Sequence, residues 1–144
     1  MFVCHKPVRF GHCDPAGIIF YPQYLMIAHE VKEDWLRDGV GYPLEQCIVR
    51  DRKGLPVRRL ECDFHRPSRF GDDLRWEVTV EKIGRTSVDT RYRAFCRDEL
   101  RADIRSVDVR TDLETGQSIE WEPWLRAHLS RFLAAPRSEE EKTP

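Results

Sequence analysis

Between Gly11 and Gly17 the chain reads Gly-His-Cys-Asp-Pro-Ala-Gly, a short stretch that gathers an imidazole, a thiol and a carboxylate. Asp14 has the chemistry to attack an acyl carbon directly or to activate a water. His12, two residues earlier, could tune that carboxylate or bind a substrate group. A nucleophilic role for Cys13 competes with the plainer reading of a small, half-buried thiol. The structural account of the whole stretch is a turn: an Asp-Pro step between glycines, with the Asp side chain bonding nearby backbone. Downstream, the loop runs into Tyr21-Pro22 and an apolar helical stripe. A helix start presents unbonded backbone N–H groups and the positive end of the dipole, which can hold a developing oxyanion. On the residues alone, both accounts stand.

The elements that must position this loop are legible as two periods. Tyr24, Ala28, Val31 and Trp35 recur at helical spacing, with Lys32, Glu33, Arg37 and Asp38 assigned to the wet side. Pro22 suits the first turn, and Gly39 and Gly41 supply the stop. Phe2 to Phe10 reads as a short strand. After Leu55 the period becomes two. Leu60, Cys62 and Phe64 alternate with charged residues, as do Leu74, Trp76, Val78 and Val80, then Val88, Thr90, Tyr92 and Ala94. Such alternation predicts antiparallel strands with one face on a core. Leu100, Ala102 and Ile104 continue it. The apolar phase then slips to Val107 and Val109, which predicts a bulge or bend. Hairpin-sized links fall at Ile83–Thr86 and Arg97–Glu99. Glu122 to Ala134 predicts a short C-terminal helix. The order implies an α+β architecture in which one antiparallel sheet curls around one long helix. Its exposed edges call for cover, and edge pairing in a dimer supplies it.

With 144 residues, the chain predicts one domain over residues 1–136, followed by a disordered polar tail over 137–144. A formal net charge of −1 argues against a duplex-DNA binder. Nineteen of the 24 basic residues are Arg, which fits local phosphate or carboxylate contacts and the wet faces of strands. Five Cys, without a C-x-x-C pair, predict free thiols in a reducing compartment. No apolar run approaches a membrane span and the first ten residues lack a signal-peptide core, so a soluble cytoplasmic protein is expected. His5, His12, His29, His65 and His128 show no metal-ligand spacing, so no metal is expected. No phosphate-binding Gly-rich loop is present.

The run from His12 to Tyr24, with Glu30 and Asp34–Gly39 behind it, resembles the signature of hotdog-fold acyl-CoA thioesterases of the 4-hydroxybenzoyl-CoA thioesterase type. Cys62-Asp63-Phe64, Pro67 and Asp72-Asp73-Leu74 form a second match, and Ile83–Ser87 a third. The resemblance implies a hotdog fold: a long central helix wrapped by a curved five-stranded antiparallel sheet, plus the short C-terminal helix. It implies hydrolysis of an aromatic or short acyl-CoA thioester to free acid and CoA, with no cofactor beyond the CoA of the substrate. Asp14 takes the catalytic carboxylate role, as nucleophile or general base, and the backbone N–H of Tyr21 the oxyanion role. His12, Gly17, His29, Glu30, Arg85 and Thr86 become substrate-binding candidates, Arg85 toward CoA phosphates. His29 falls where the family reads the far end of an aromatic acyl group. It stands in place of an acidic residue, which puts 4-hydroxybenzoyl specificity in doubt. The resemblance also implies a homodimer or homotetramer with the site at the subunit interface. Neither nucleic acid nor membrane is expected as a partner.

Two other readings compete. A hydratase or dehydratase on the same scaffold would use His12 or His29 as its acid–base group. A non-catalytic acyl-carrier or RNA-binding module would use the Arg-rich strand faces.

Overall fold

The computed structural model describes residues 1–135; the expected disordered tail lies outside the described residues. Strand β1 (Phe2–Pro7) leads through a 3-10 turn at Phe10–His12 to helix α1 (Tyr21–Asp34). A two-residue β2 (Lys53–Gly54) and β3 (Val57–Phe64) follow, then β4 (Asp73–Ile83), β5 (Ser87–Cys96) and β6 (Glu99–Val109). A two-residue β7 (Thr111–Asp112) and helix α2 (Pro123–Ser130) complete the order. The main sheet is antiparallel, with strand order β1-β4-β5-β6-β3, while β2 and β7 form a separate ribbon. This is the expected hotdog arrangement of one five-stranded sheet around one helix.

Helix α1 buries Tyr24, Ile27, Ala28 and Val31, a spacing of three, one and three that puts all four on one stripe. The stripe packs on Leu74, Trp76, Val78 and Val80 of β4 and on Tyr92, Ala94, Ala102 and Ile104 of β5 and β6. Each large apolar side chain buried here contributes about 1.5–3 kcal/mol. The helix runs on through a π-helical turn, Trp35–Val40, and stops at Gly41, whose φ of 82° lies in the left-handed region. Residues beyond α2 close an open edge. Val80 donates to Phe132 O and accepts from Ala134 N at 2.9 and 2.8 Å, just past the point where β1 ends its pairing with β4.

Four sequence expectations change. The apolar alternation of β3 is not on the core: Leu60 and Phe64 are exposed and only Cys62 is partly buried. The first strand ends at Pro7: Val8 is buried, whereas Phe10 lies in the 3-10 turn and is exposed. Lys32 is buried, not wet. No bulge interrupts β6 between Ile104 and Val107, where pairing with β5 runs in register. The inner face of β6 continues instead as Ala102, Ile104, Ser106, Asp108, changing from apolar to polar residues without changing phase. Register shifts fall at Ala94/Phe95 of β5, at Val80/Lys82 of β4 and at Val57/Arg59 of β3, the last opposite Asp108 and Val107 of β6.

The outer face of the sheet holds Arg91, Arg93 and Arg105 in cross-strand ion pairs. Arg91 grips Asp103 with Nε and Nη2 at 2.9 and 2.6 Å, and Arg93 faces Glu77 at 3.6 Å. Burial works to raise the Asp103 carboxyl, but the Arg91 fork outweighs it and holds that group below the usual carboxylate range. These guanidinium groups are committed to acids rather than offered as an RNA platform.

Candidate active site

The Gly11–Gly17 stretch is folded by its own backbone. Asp14 N donates to Ile18 O and Gly17 N to Asp14 O, both at 2.9 Å, and Cys13 bridges Ile19 as an antiparallel pair. Gly17, at φ 77°, makes the reversal that an L side chain would strain. Ala16 N donates to Asp14 Oδ1 at 2.9 Å, so the turn account is correct as far as that oxygen goes. Asp14 Oδ2 has no protein partner among the described residues. The turn therefore fixes one carboxylate oxygen and leaves the other unbonded. Asp14 is half-buried, in an open pocket of about 390 Å³ that it shares with Cys13, Gly17 and the exposed rings of Phe10 and Phe70. Those two rings meet edge to face, 6.1 Å apart.

Phe20 N donates to His12 O at 2.9 Å, which carries the strip 12–14 alongside 18–20 and brings the loop against the start of α1. That start is uncapped. Phe20 occupies the N-cap position and has no side-chain acceptor to offer. Gln23 N bonds back to Phe20 O at 2.8 Å, Pro22 has no N–H, and Tyr21 N–H has no acceptor among the described residues. One backbone donor, the Tyr21 N–H, is thus left open at the helix start that follows the Asp14 loop.

A brace behind the loop fixes its position. Ile19 N donates to Ser68 O at 2.8 Å and Phe70 N to Gly17 O at 3.1 Å. The Tyr24 hydroxyl reaches Ser68 Oγ at 2.7 Å, and Arg101 Nη1 binds Asp72 Oδ2 at 2.8 Å. Burial tends to raise the Asp72 carboxyl, but the Arg69 N–H and the Arg101 guanidinium together hold it below its ordinary value.

A second cavity, about 200 Å³, opens on the side of α1 that faces the sheet, between Leu25, Ala28, His29 and Lys32 and the residues Tyr92 and Ile104. His29 is half-exposed at its side and lies 3.9 Å from Glu33. Lys32 is 7% exposed. Its ammonium donates to Leu55 O at 3.0 Å and pairs with Asp108, itself 2% exposed, at 2.8 Å. Ser106 Oγ donates to the other Asp108 oxygen. The hydroxyl of Tyr92 is buried with no partner. Sequence reasoning missed this polar set. Its signals were Lys32 at four and seven residues from Ala28 and Leu25, and the unbroken alternation of β6.

The remaining candidates disperse. His12 Nδ1 accepts the Arg9 N–H at 2.9 Å and closes the 3-10 turn, and no His–Asp14 hydrogen bond forms among the described residues. Glu30 is exposed and lines neither cavity. Arg85 is exposed in the β4–β5 turn, where it pairs with Glu120 at 3.2 Å, and the Thr86 carbonyl accepts Arg110 N at 2.7 Å. That turn lies at the far end of β4 from the Asp14 loop, a span of roughly 33 Å for ten strand steps. Within the chain, Arg85 and Asp14 do not meet. The two cavities have no residue in common, and Tyr21 and Lys32 are roughly 16 Å apart along the helix axis. Among the described residues, no three His, Cys, Asp or Glu cluster as a metal site, and no helix is long and apolar enough to cross a membrane.

One long helix wrapped by one five-stranded antiparallel sheet is the hotdog scaffold. The chain belongs to the thioesterase-like superfamily, whose model matches residues 8–129, and it is a thioester hydrolase. It is 31% identical over 137 residues to a 1,4-dihydroxy-2-naphthoyl-CoA hydrolase of Synechococcus sp. (strain WH7803), with 86% of this chain and 88% of that one covered. A protein of the same name from Crocosphaera subtropica is 23% identical over 131 residues, covering 86% and 95%. Among solved structures, a 1,4-dihydroxy-2-naphthoyl-CoA thioesterase from Synechocystis superposes with a TM-score of 0.82 at 21% identity, covering 90% and 95%. A gentisyl-coenzyme A thioesterase gives 0.80 at 22% identity, covering 89% and 99%.

Proposed function

We propose that this enzyme hydrolyses an aromatic acyl-CoA thioester to the free acid and CoA. The observation that carries the reading is the pairing of a half-free carboxylate with an open donor: Asp14 holds one oxygen in a turn and offers the other, beside an unbonded Tyr21 N–H. Asp14 Oδ2 either attacks the acyl carbon or takes the proton of an attacking water; both routes use the same oxygen. The Tyr21 N–H, at the positive end of α1, stabilises the oxyanion that forms. Collapse of that intermediate expels the CoA thiolate, and water supplies the second oxygen of the acid. No cofactor enters this scheme. The relatives named for dihydroxynaphthoyl-CoA and gentisyl-CoA support an aromatic acyl group.

The working unit is a homodimer built on the β3 edge. That strand is eight residues long and exposes Val57, Leu60 and Phe64, while Tyr21 and Met26 are exposed on α1. An uncovered apolar edge strand is a pairing surface. A second copy also accounts for a site whose parts, the Asp14 loop, the α1 cavity and Arg85, stand apart in one chain. The five unpaired thiols suit a reducing compartment, and the reading places the enzyme in the cytoplasm.

Release of free thiol from a panel of benzoyl-, hydroxybenzoyl-, phenylacetyl- and short aliphatic CoA thioesters tests the reaction. Aromatic members are turned over fastest, and Asp14→Asn lowers turnover by orders of magnitude. Near-normal turnover in Asp14→Asn would sink the assignment. A stable, active monomer in solution would sink the dimer.

A further inference from the structure

The β4–β5 turn is held from behind by the chain that follows β6. Arg126, exposed on α2, donates from Nη1 to Gly84 O at 2.9 Å and from Nη2 to Ile83 O at 3.3 Å. Trp121 N donates to Arg85 O at 3.2 Å and Arg110 N to Thr86 O at 2.7 Å. The Trp121 indole N–H reaches Ser87 O at 3.1 Å. The carbonyls of Ile83, Gly84, Arg85, Thr86 and Ser87 are thus all engaged by residues 110–126. Closure of the hairpin does not require this bracket, since the Gly84 N–H already donates to Ser87 O at 2.8 Å.

The bracket sets the direction of the turn's donors. These peptides are trans, and in a trans peptide the N–H points opposite to the C=O of the same unit. Holding the Gly84 and Arg85 carbonyls against the C-terminal segment therefore turns the N–H groups of Arg85 and Thr86 away from it. Neither N–H has an acceptor among the described residues. Successive backbone N–H groups in a turn make a concavity for an anion. The Arg85 guanidinium, 80% exposed, belongs to the same turn and already holds an anionic oxygen, that of Glu120 at 3.2 Å. So exposed an ion pair is weak and exchanges readily for a phosphate. We propose that Arg126 is a positioning residue for the CoA end of the substrate: its fork aims the Arg85 and Thr86 N–H groups at a phosphate that Arg85 neutralises, without touching the phosphate itself. The inference rests on the CoA-thioester reading and adds what presets the grip on the nucleotide.

Two variants separate the fork from its charge. Arg126→Gln loses both, whereas Arg126→Lys keeps the charge and loses the planar pair of donors. Each raises KM for 4-hydroxybenzoyl-CoA about fivefold, as expected when donors to a charged group lose their aim, and leaves kcat in place. KM for the 4-hydroxybenzoyl thioester of pantetheine, which has no phosphate, stays at the native value in both. Calorimetric titration with free CoA reads the same loss of affinity without turnover. Full CoA affinity in Arg126→Lys would assign the effect to charge and overturn the positioning role. An equal rise in KM for the two thioesters would assign it to general loosening of the turn and overturn it as well. Weakened CoA binding in Arg126→Lys, in a protein that releases no thiol from any thioester, upholds the positioning role and overturns the hydrolytic reading instead.

Discussion

The two ends of α1 are treated in opposite ways. At its C-terminal end almost every group is engaged. Gly41 supplies the left-handed stop, and Asp34 holds Lys6 of β1 at 2.6 Å. His128 and Arg131 of the C-terminal region reach the carbonyls of Val40 and Gly39 at 2.8 and 3.1 Å. At the N-terminal end, the cap position holds Phe20, the second residue is Pro22, and the Tyr21 N–H is left open. A helix optimised only for stability would carry Ser, Thr, Asp or Asn at that position. The contrast teaches that the open end is maintained at a cost in stability which the closed end offsets, as expected where a donor must remain available for a transition state.

Removing the carboxylate is the strongest way to break the comparison. Asp14→Asn keeps an oxygen to accept the Ala16 N–H, so the turn survives and the melting temperature stays put, while kcat falls about 10³-fold or more. Asp14→Ala loses both, and adds a stability loss of about 1 kcal/mol to the same loss of turnover. A variant pair with equal melting temperatures would show that the turn bond contributes nothing. Thermal unfolding beside thiol release reads both quantities.

How much of this was visible beforehand follows from what each residue type can signal. The Asp14 loop and α1 were legible because Gly and Pro punctuate and apolar residues repeat at helical spacing. The sheet was legible by the same logic at period two. Lys32 and Asp108 were not, because a charged residue reads as solvated unless its partner is known, and that partner lies 76 positions away across the sheet. The apparent slip after Ile104 was a change of polarity on a constant face. For His12, sequence shows its nearness to Asp14 but not that one ring nitrogen already accepts the Arg9 N–H.

Capping the open end sharpens the contrast. Phe20→Asp supplies the missing acceptor at the helix start and is expected to raise stability by about 1 kcal/mol. The same charge opposes the developing oxyanion and lowers kcat about tenfold. A rise in stability with no change in kcat would detach the helix start from catalysis. Gly41→Ala is the mirror experiment. No atom lies within 4 Å of an added Cβ, so the effect is confined to the backbone at φ 82°. It costs about 1 kcal/mol by denaturant unfolding and leaves kcat unchanged. Loss of turnover beyond that of the unfolded fraction would mean the two ends are coupled.

The smallest effect comes from the Lys6–Asp34 tether. Burial acts to lower the Lys6 ammonium, but the hydrogen bond and charge of Asp34 prevail and raise it above its ordinary value. A group raised in the folded state stabilises fully at pH values below its unfolded pKa, about 10.4, and loses that contribution as pH climbs through the folded value. Lys6→Met is therefore less stable than the native chain by about 0.5–1 kcal/mol at pH 7, and the gap closes on the alkaline side. Unfolding curves at a series of pH values measure the gap directly, and turnover at pH 7 stays at the native rate. A gap that persists unchanged above the folded pKa would assign the tether to packing of the lysine stem. The closed end of α1 would then be held by shape and backbone bonds alone, with no share from charge.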